Sequence, residues 1–216
     1  MTTTTTRTTA AAPRTRQLTT SEQRGARLAG RALLLMTLLS LPAAVLLGRA
    51  DEPGARAVVA TAFLVVAALD VAAGWGLHLL LRGHALPTSV ATVVSRSGYA
   101  VLLAVSALVL LVPGGEGVAG FRSDWALALV VFGVHLTIAA VALWRSRLAP
   151  GIVVVATAIA GAAYLVDDVL ARSTGQAQGA ALVPFMLGEL VLMGWLLWTA
   201  RRSARRAHDW SAASTG

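Results

Sequence analysis

From Ala32 to Ala200 the chain is a succession of apolar runs, each near twenty residues, set apart by short polar or arginine-bearing segments. A helix of that length crosses about 30 Å of hydrocarbon at roughly 1.5 Å per residue. Lipid offers the backbone no hydrogen-bond partners, so only helices and closed barrels can span it. A barrel strand would alternate polar and apolar residues over about ten positions, and these runs do not alternate. The composition agrees, with 56% hydrophobic and only 13% charged residues, against about 25% charged in an average soluble domain. The chain therefore reads as all-α, a polytopic transmembrane helical bundle.

Six spans are predicted, at about Ala32–Gly48, Ala57–Leu81, Thr88–Val112, Trp125–Trp144, Pro150–Ala171 and Ala180–Ala200. Pro42 falls inside the first, where it removes a helical N–H and suggests a kink. Pro87-Thr88 and Pro150 suit helix starts, and Pro113-Gly114-Gly115 suits a helix end. Residues 1–30 read as a disordered Thr/Arg-rich tail, 31–200 as the membrane domain and 201–216 as a basic tail. The polar lead before the first apolar run is too long for a cleaved signal peptide.

Orientation follows from arginine placement. Thirteen arginines lie on one side: Arg7, Arg14, Arg16, Arg24, Arg27 and Arg31 in the N-tail, Arg82, Arg145 and Arg147 in inner turns, and Arg201, Arg202, Arg205 and Arg206 in the C-tail. Four, Arg49, Arg56, Arg122 and Arg172, lie on the other, and Arg96 falls within a span. That asymmetry puts both termini in the cytoplasm. The net charge of +8 comes entirely from arginine at helix ends and in tails, with no lysine. No aromatic-basic platform accompanies it, so no nucleic-acid partner is expected. With no cysteine there is no disulfide framework or Cys-based metal site.

Charged residues inside spans are costly, roughly 2.5–3.5 kcal/mol each on insertion scales, and mark functional-site candidates. Counted from the inner helix ends at 1.5 Å per residue, Asp70 and Glu189 lie about 16 Å deep, His135 about 14 Å and Arg96 about 12 Å. Four polar residues from four helices thus fall in one layer near the midplane. One reading is a polar cavity, with Arg96 paired to Asp70 or Glu189 and His135 able to exchange a proton. Such a layer could bind an anionic or amphipathic ligand, or relay protons. The other, favoured on sequence alone, is a structural Asp70–Arg96 ion pair between adjacent helices, with His135 and Glu189 as interhelical hydrogen-bonding groups.

The fifth span adds a second pattern. Ala156, Ala160, Ala163 and Asp167 share one face by their 4, 3, 4 spacing, and small residues there, beside Gly161, admit a neighbouring helix. Tyr164, Asp167 and Asp168 are secondary candidates. Two adjacent carboxylates can admit a cation, though a solvated helix end is the simpler expectation. His78 and His84 are expected to be exposed at the inner boundary, and the methionines read as core filler. There is no HExxH, G-x-S-x-G, phosphate-binding loop or His-rich spacing, so neither metal nor cofactor is predicted.

The order and spacing of RGARLAGRALLL, ALDV, SRSGYA, VFGVHL, LWRSRLAP, AGAAYLVDD and GELVLMGWLLW resemble a known family. It is the bacterial six-helix integral membrane family catalogued as domain of unknown function 4386, and the resemblance covers residues 24–202. The family pattern at the hairpin turn reads Ser-Gly-x-x-Pro, whereas this chain has Ser146-Arg147-Leu148-Ala149-Pro150 and lacks the glycine. The resemblance implies an integral membrane protein without an assigned activity, and its motifs include Asp70, Arg96, His135 and Glu189.

The expected location is the plasma (inner) membrane, multi-pass, with the lipid bilayer as first partner and other membrane proteins or a homo-oligomer as further ones. A binding, sensing or scaffold component is the leading function class. A small proton-linked carrier using the midplane layer is the alternative. Catalysis is not expected, because no nucleophile or metal constellation is present.

Overall fold

The computed structural model describes residues 18–50, 52–112, 117–174 and 186–213. Among these there are six α-helices and no strand: α1 (Thr20–Leu47), α2 (Pro53–Leu81), α3 (Leu86–Val109), α4 (Gly117–Ser146), α5 (Gly151–Thr174) and α6 (Met186–Ala213). Five of them, α1 to α5, are long and apolar enough to cross a membrane. The described apolar part of α6, Met186 to Ala200, is shorter, and the first residues predicted for this span, 180–185, lie outside the described residues. So does Pro113-Gly114-Gly115. The protein is an all-α, multi-pass membrane protein.

Two boundaries differ from the sequence reading. A disordered tail through residue 30 ends too late, because α1 already starts at Thr20. Thr19 caps it: its hydroxyl accepts from the Glu22 N–H, and the Glu22 carboxylate accepts from the Thr19 N–H at 2.6 Å. The first turns then pack by their small face, with Gly25, Ala26 and Ala29 buried. At the other end α6 continues past Ala200 to Ala213, so the basic segment extends the helix instead of leaving it. Arg202 covers the Trp198 ring at 3.8 Å there, an arginine-aromatic contact suited to a membrane interface.

Each helix packs on the next, and α6 returns to pack on α1, closing a ring. Small residues set the approach. A Cβ at Gly76 would stand 2.5 Å from the Ala29 nitrogen, and one at Gly25 2.6 Å from the Gly76 oxygen, so α1 and α2 touch backbone to backbone. Gly133 and Gly161 do the same for α4 and α5, and Gly188 of α6 abuts Ala156 and Ala160 of α5. The small stripe predicted on α5 therefore receives a helix on each side.

The ring holds two apolar cores. One lies at the level of the first turns of α1 and the C-terminal ends of α2 and α4, including Ala29, Leu77, Leu80, Leu143, Leu192 and Leu196. The other lies at the level of the C-terminal end of α1 and the N-terminal halves of α2 and α4, including Phe63, Tyr99, Leu103, Phe121, Phe132 and Tyr164. On α2, buried Asp70 stands between Ala67 of the second core and Ala73 of the first.

Candidate functional site

Arg96 is the hub. It stands near the middle of α3, and its side chain is fully buried. Its Nη2 lies 2.6 Å from Asp70 Oδ1 on α2, whose side chain is also fully buried. The contact is close in charge but off the line of a hydrogen bond, and Asp70 Oδ2 has no hydrogen-bond partner among the described residues. Arg96 Nη1 lies 3.2 Å from His135 Nε2 on α4 and 4.0 Å from Glu189 Oε1 on α6. The four residues that depth arithmetic singled out thus converge on one guanidinium.

The partners of His135 assign its state. Arginine only donates, so Nε2 must accept from Arg96 Nη1. Nδ1 then carries the proton and donates to the Thr92 carbonyl at 3.1 Å, with Ser95 Oγ at 3.2 Å. A neutral imidazole held in this tautomer orients the arginine. Free proton exchange at His135, one of the sequence expectations, would require breaking the Arg96 contact.

Phe132, three residues before His135 and so on the same face of α4, completes the enclosure. The Arg96 guanidinium lies over its ring at 5.2 Å. Met36 Sδ of α1 approaches Arg96 Nη2 at 3.8 Å, so this methionine does more than fill space. Tyr99, three residues after Arg96, meets Phe132 at 4.6 Å between ring centroids, and Tyr164 meets the same ring edge-on at 5.2 Å. Tyr164 was a secondary candidate from the sequence, whereas Phe132 and Tyr99 carried no signal of their own there. The i±3 offset from each charged residue is the pattern that finds them.

An anion would find no free positive charge here. Attraction falls with distance, so Asp70 at 2.6 Å interacts with Arg96 about one and a half times as strongly as Glu189 at 4.0 Å. Arg96 and Asp70 form the inner pair, and Glu189 is the carboxylate left over. Glu189 alone of the three retains some exposure, 21% of its side chain, and its Oε1 accepts no hydrogen bond from the described residues.

What Glu189 faces is a cavity of about 240 Å³ inside the half of the ring that holds the second core. All six helices line it, with Met36 and Ser40 from α1, Phe63 from α2, Tyr99 from α3, Trp125 from α4, Tyr164 from α5 and Glu189 from α6 among the residues. Trp125 Nε1 is a second buried polar atom here without a partner. Tyr164, a secondary candidate, therefore belongs to this wall.

The other two secondary candidates do not reach it. Asp168 pairs with Arg172 one turn on, at 2.8 Å, and belongs to the C-terminal end of α5. Asp167 is buried rather than solvated, since it ends the small stripe of α5 that packs inward. In the α2–α3 turn His84 is not exposed. Its Nε2 meets Glu22 Oε1 at 2.6 Å and ties the α2–α3 turn to the start of α1. His78 is half-buried beside Ser89 Oγ at 3.1 Å.

Comparison with known proteins covers part of the chain. No curated protein and no solved structure matches. Residues 117–200 match the family model described as Domain of unknown function (DUF4386). That stretch holds α4, α5 and the apolar part of α6, and with them His135, Tyr164 and Glu189. From Gly117 to Ala200 the chain is therefore similar to the DUF4386 family model, within an all-helical multi-pass membrane fold.

Proposed function

We propose that the protein is a membrane-embedded binding or sensing component whose ring of helices takes up a small, mostly apolar molecule. One observation carries this reading: a cavity of about 240 Å³ lined from all six helices, with Glu189 in its wall. Binding pockets are concave and largely apolar, with a few placed polar groups, and Glu189 and Trp125 supply those groups here. Helices that share one cavity can report its occupancy to both faces of the membrane, which suits a sensing role or a scaffold for other membrane proteins, including a second copy. In this reading the membrane is the plasma membrane and both termini are cytoplasmic.

Catalysis is placed behind binding for a geometric reason. The hydroxyl nearest His135, Ser95 Oγ, donates back to the Ala91 carbonyl at 2.7 Å, and His135 Nε2 already holds Arg96. Neither is poised as a nucleophile and base.

The test uses the full chain in lipid nanodiscs. Single-ring apolar probes such as butylbenzene should raise the unfolding temperature saturably, and Ser40→Phe, which fills the cavity from α1, should abolish the effect. No stabilisation by any such probe would overturn the reading. A second reading, a proton-linked carrier, is favoured by the presence of two carboxylates around one guanidinium, which leaves Glu189 able to alternate between a proton and a ligand. Proton flux into proteoliposomes that depends on an added solute, and is lost in Glu189→Gln, would select it over simple binding.

A further inference from the structure

The cavity also carries information about the charge of its occupant. The Arg96 guanidinium is enclosed, with Asp70 against it, Phe132 over it and Met36 at its edge. Its charge is balanced by Asp70 and is not presented to the cavity. Glu189 is presented, with an oxygen that accepts no hydrogen bond. The remaining wall is aromatic to an unusual degree for a chain with 6% aromatic residues: Phe63, Tyr99, Trp125, Phe132 and Tyr164 all line it. A carboxylate set among aromatic faces is the arrangement that recognises an organic ammonium group.

The wall also shows how an occupant arrives. Leu41 of α1 and Leu190 of α6 both line the cavity, yet they are 54% and 41% exposed on the outside of the bundle. Among the described residues the cavity thus reaches the lipid-facing surface between α1 and α6. Pro42, next to Leu41, leaves the Leu38 carbonyl without its helical N–H and loosens α1 at this level.

Resting on the binding role proposed above, we infer that the ligand is a small lipophilic organic cation, drawn from the bilayer between α1 and α6, with its ammonium group at Glu189 and its apolar body among the aromatic rings. The volume of about 240 Å³ falls below the roughly 300–1,000 Å³ of drug-sized sites. A single-ring or short-chain ammonium fits, and a multi-ring drug does not. Trp125 Nε1–H, unpartnered in the same wall, would accommodate a hydrogen-bond acceptor on the body of such a ligand.

Two probes of matched shape separate charge from size: benzyltrimethylammonium and its uncharged carbon isostere, neopentylbenzene. Binding is measured calorimetrically to the full chain in nanodiscs, against empty nanodiscs to subtract partitioning. The expected result is saturable binding of the cation at least tenfold tighter than of the isostere. Glu189→Gln should remove that preference while leaving the isostere's affinity within a factor of three, and Asp168→Asn, outside the cavity, should change neither. Equal binding of both probes would overturn the cation assignment and leave the binding role standing. Absence of binding by both would overturn the two together. The comparison of probes on the unaltered protein needs no variant to fold. For the route, Leu41→Cys in this cysteine-free chain is labelled with a bulky maleimide. Association should slow at least tenfold, and an unchanged rate would overturn access between α1 and α6.

Discussion

At the scale of single residues, Arg96 and Arg147 depart furthest from what their surroundings ordinarily allow. Removing one member of a buried ion pair costs about 3–5 kcal/mol, because the other is left charged and unpaired. Arg96→Met should therefore destabilise by that amount, measured by reversible unfolding in mixed micelles. Adding Asp70→Asn should restore a large part of it, a coupling that a double-mutant cycle reads directly. Arg147 is the described non-glycine residue with a left-handed backbone, at φ 53°. It ends α4, where a glycine commonly serves, and it occupies the position of the glycine in the family turn Ser-Gly-x-x-Pro. A left-handed conformation costs an L-residue about 1–2 kcal/mol, while glycine gives back about 0.4–1 kcal/mol in the unfolded chain. Arg147→Gly should thus stabilise by about 0.5–1 kcal/mol in the same assay. The charged members of the site were legible because insertion cost makes an intramembrane charge conspicuous. The Asp70–Arg96 pair was legible too, since it joins adjacent helices, whereas the place of Glu189 beside the same guanidinium was not, because rotation about the helix axis decides it. Met36, Phe132 and Trp125 were illegible for a simpler reason: in an apolar run they look like every other core residue.

At the scale of helices, glycines decide how the ring closes. Gly76 and Gly194 make a matched contrast, one pressed on the α1 backbone and the other with no atom within 4 Å of an added Cβ. Gly76→Val should separate α1 from α2 and cost at least about 2 kcal/mol, in line with overpacking a filled core, with a lower folded yield on size-exclusion chromatography. Gly194→Ala should be neutral or stabilising by up to about 1 kcal/mol, the helix-propensity difference. The number, order and hand-over points of the helices were readable from apolar run length and from arginine and proline placement. The start of α1 was not, because twelve of its residues, 20–31, precede the apolar run. Their helicity comes from the Thr19–Glu22 capping box and from burial of Gly25, Ala26 and Ala29 on α2. The capping box is a short-range pattern that was there to be read, whereas the burial depends on a partner distant in the chain.

At the scale of the whole molecule, the distribution of arginines predicts a handedness across the membrane that labelling can check. The chain has no cysteine, so one can be placed at will. Gly54 and Gly83 are both exposed, at opposite ends of α2, with open space around them. In intact cells a membrane-impermeant maleimide should modify Gly54→Cys and spare Gly83→Cys until the membrane is opened. The reverse pattern would invert the protein. The ion pair at the centre of the ring has a further consequence, for the order in which the helices leave the translocon. A lone arginine at mid-depth opposes insertion by roughly 2.5–3.5 kcal/mol. The chain brings Asp70 on α2 first, Arg96 on α3 directly after it, and Glu189 only on α6. The helix that α3 needs is therefore already made when α3 emerges, and the two can pass into lipid as a neutral hairpin. The carboxylate of the cavity, arriving last, joins a pair whose charges are already matched.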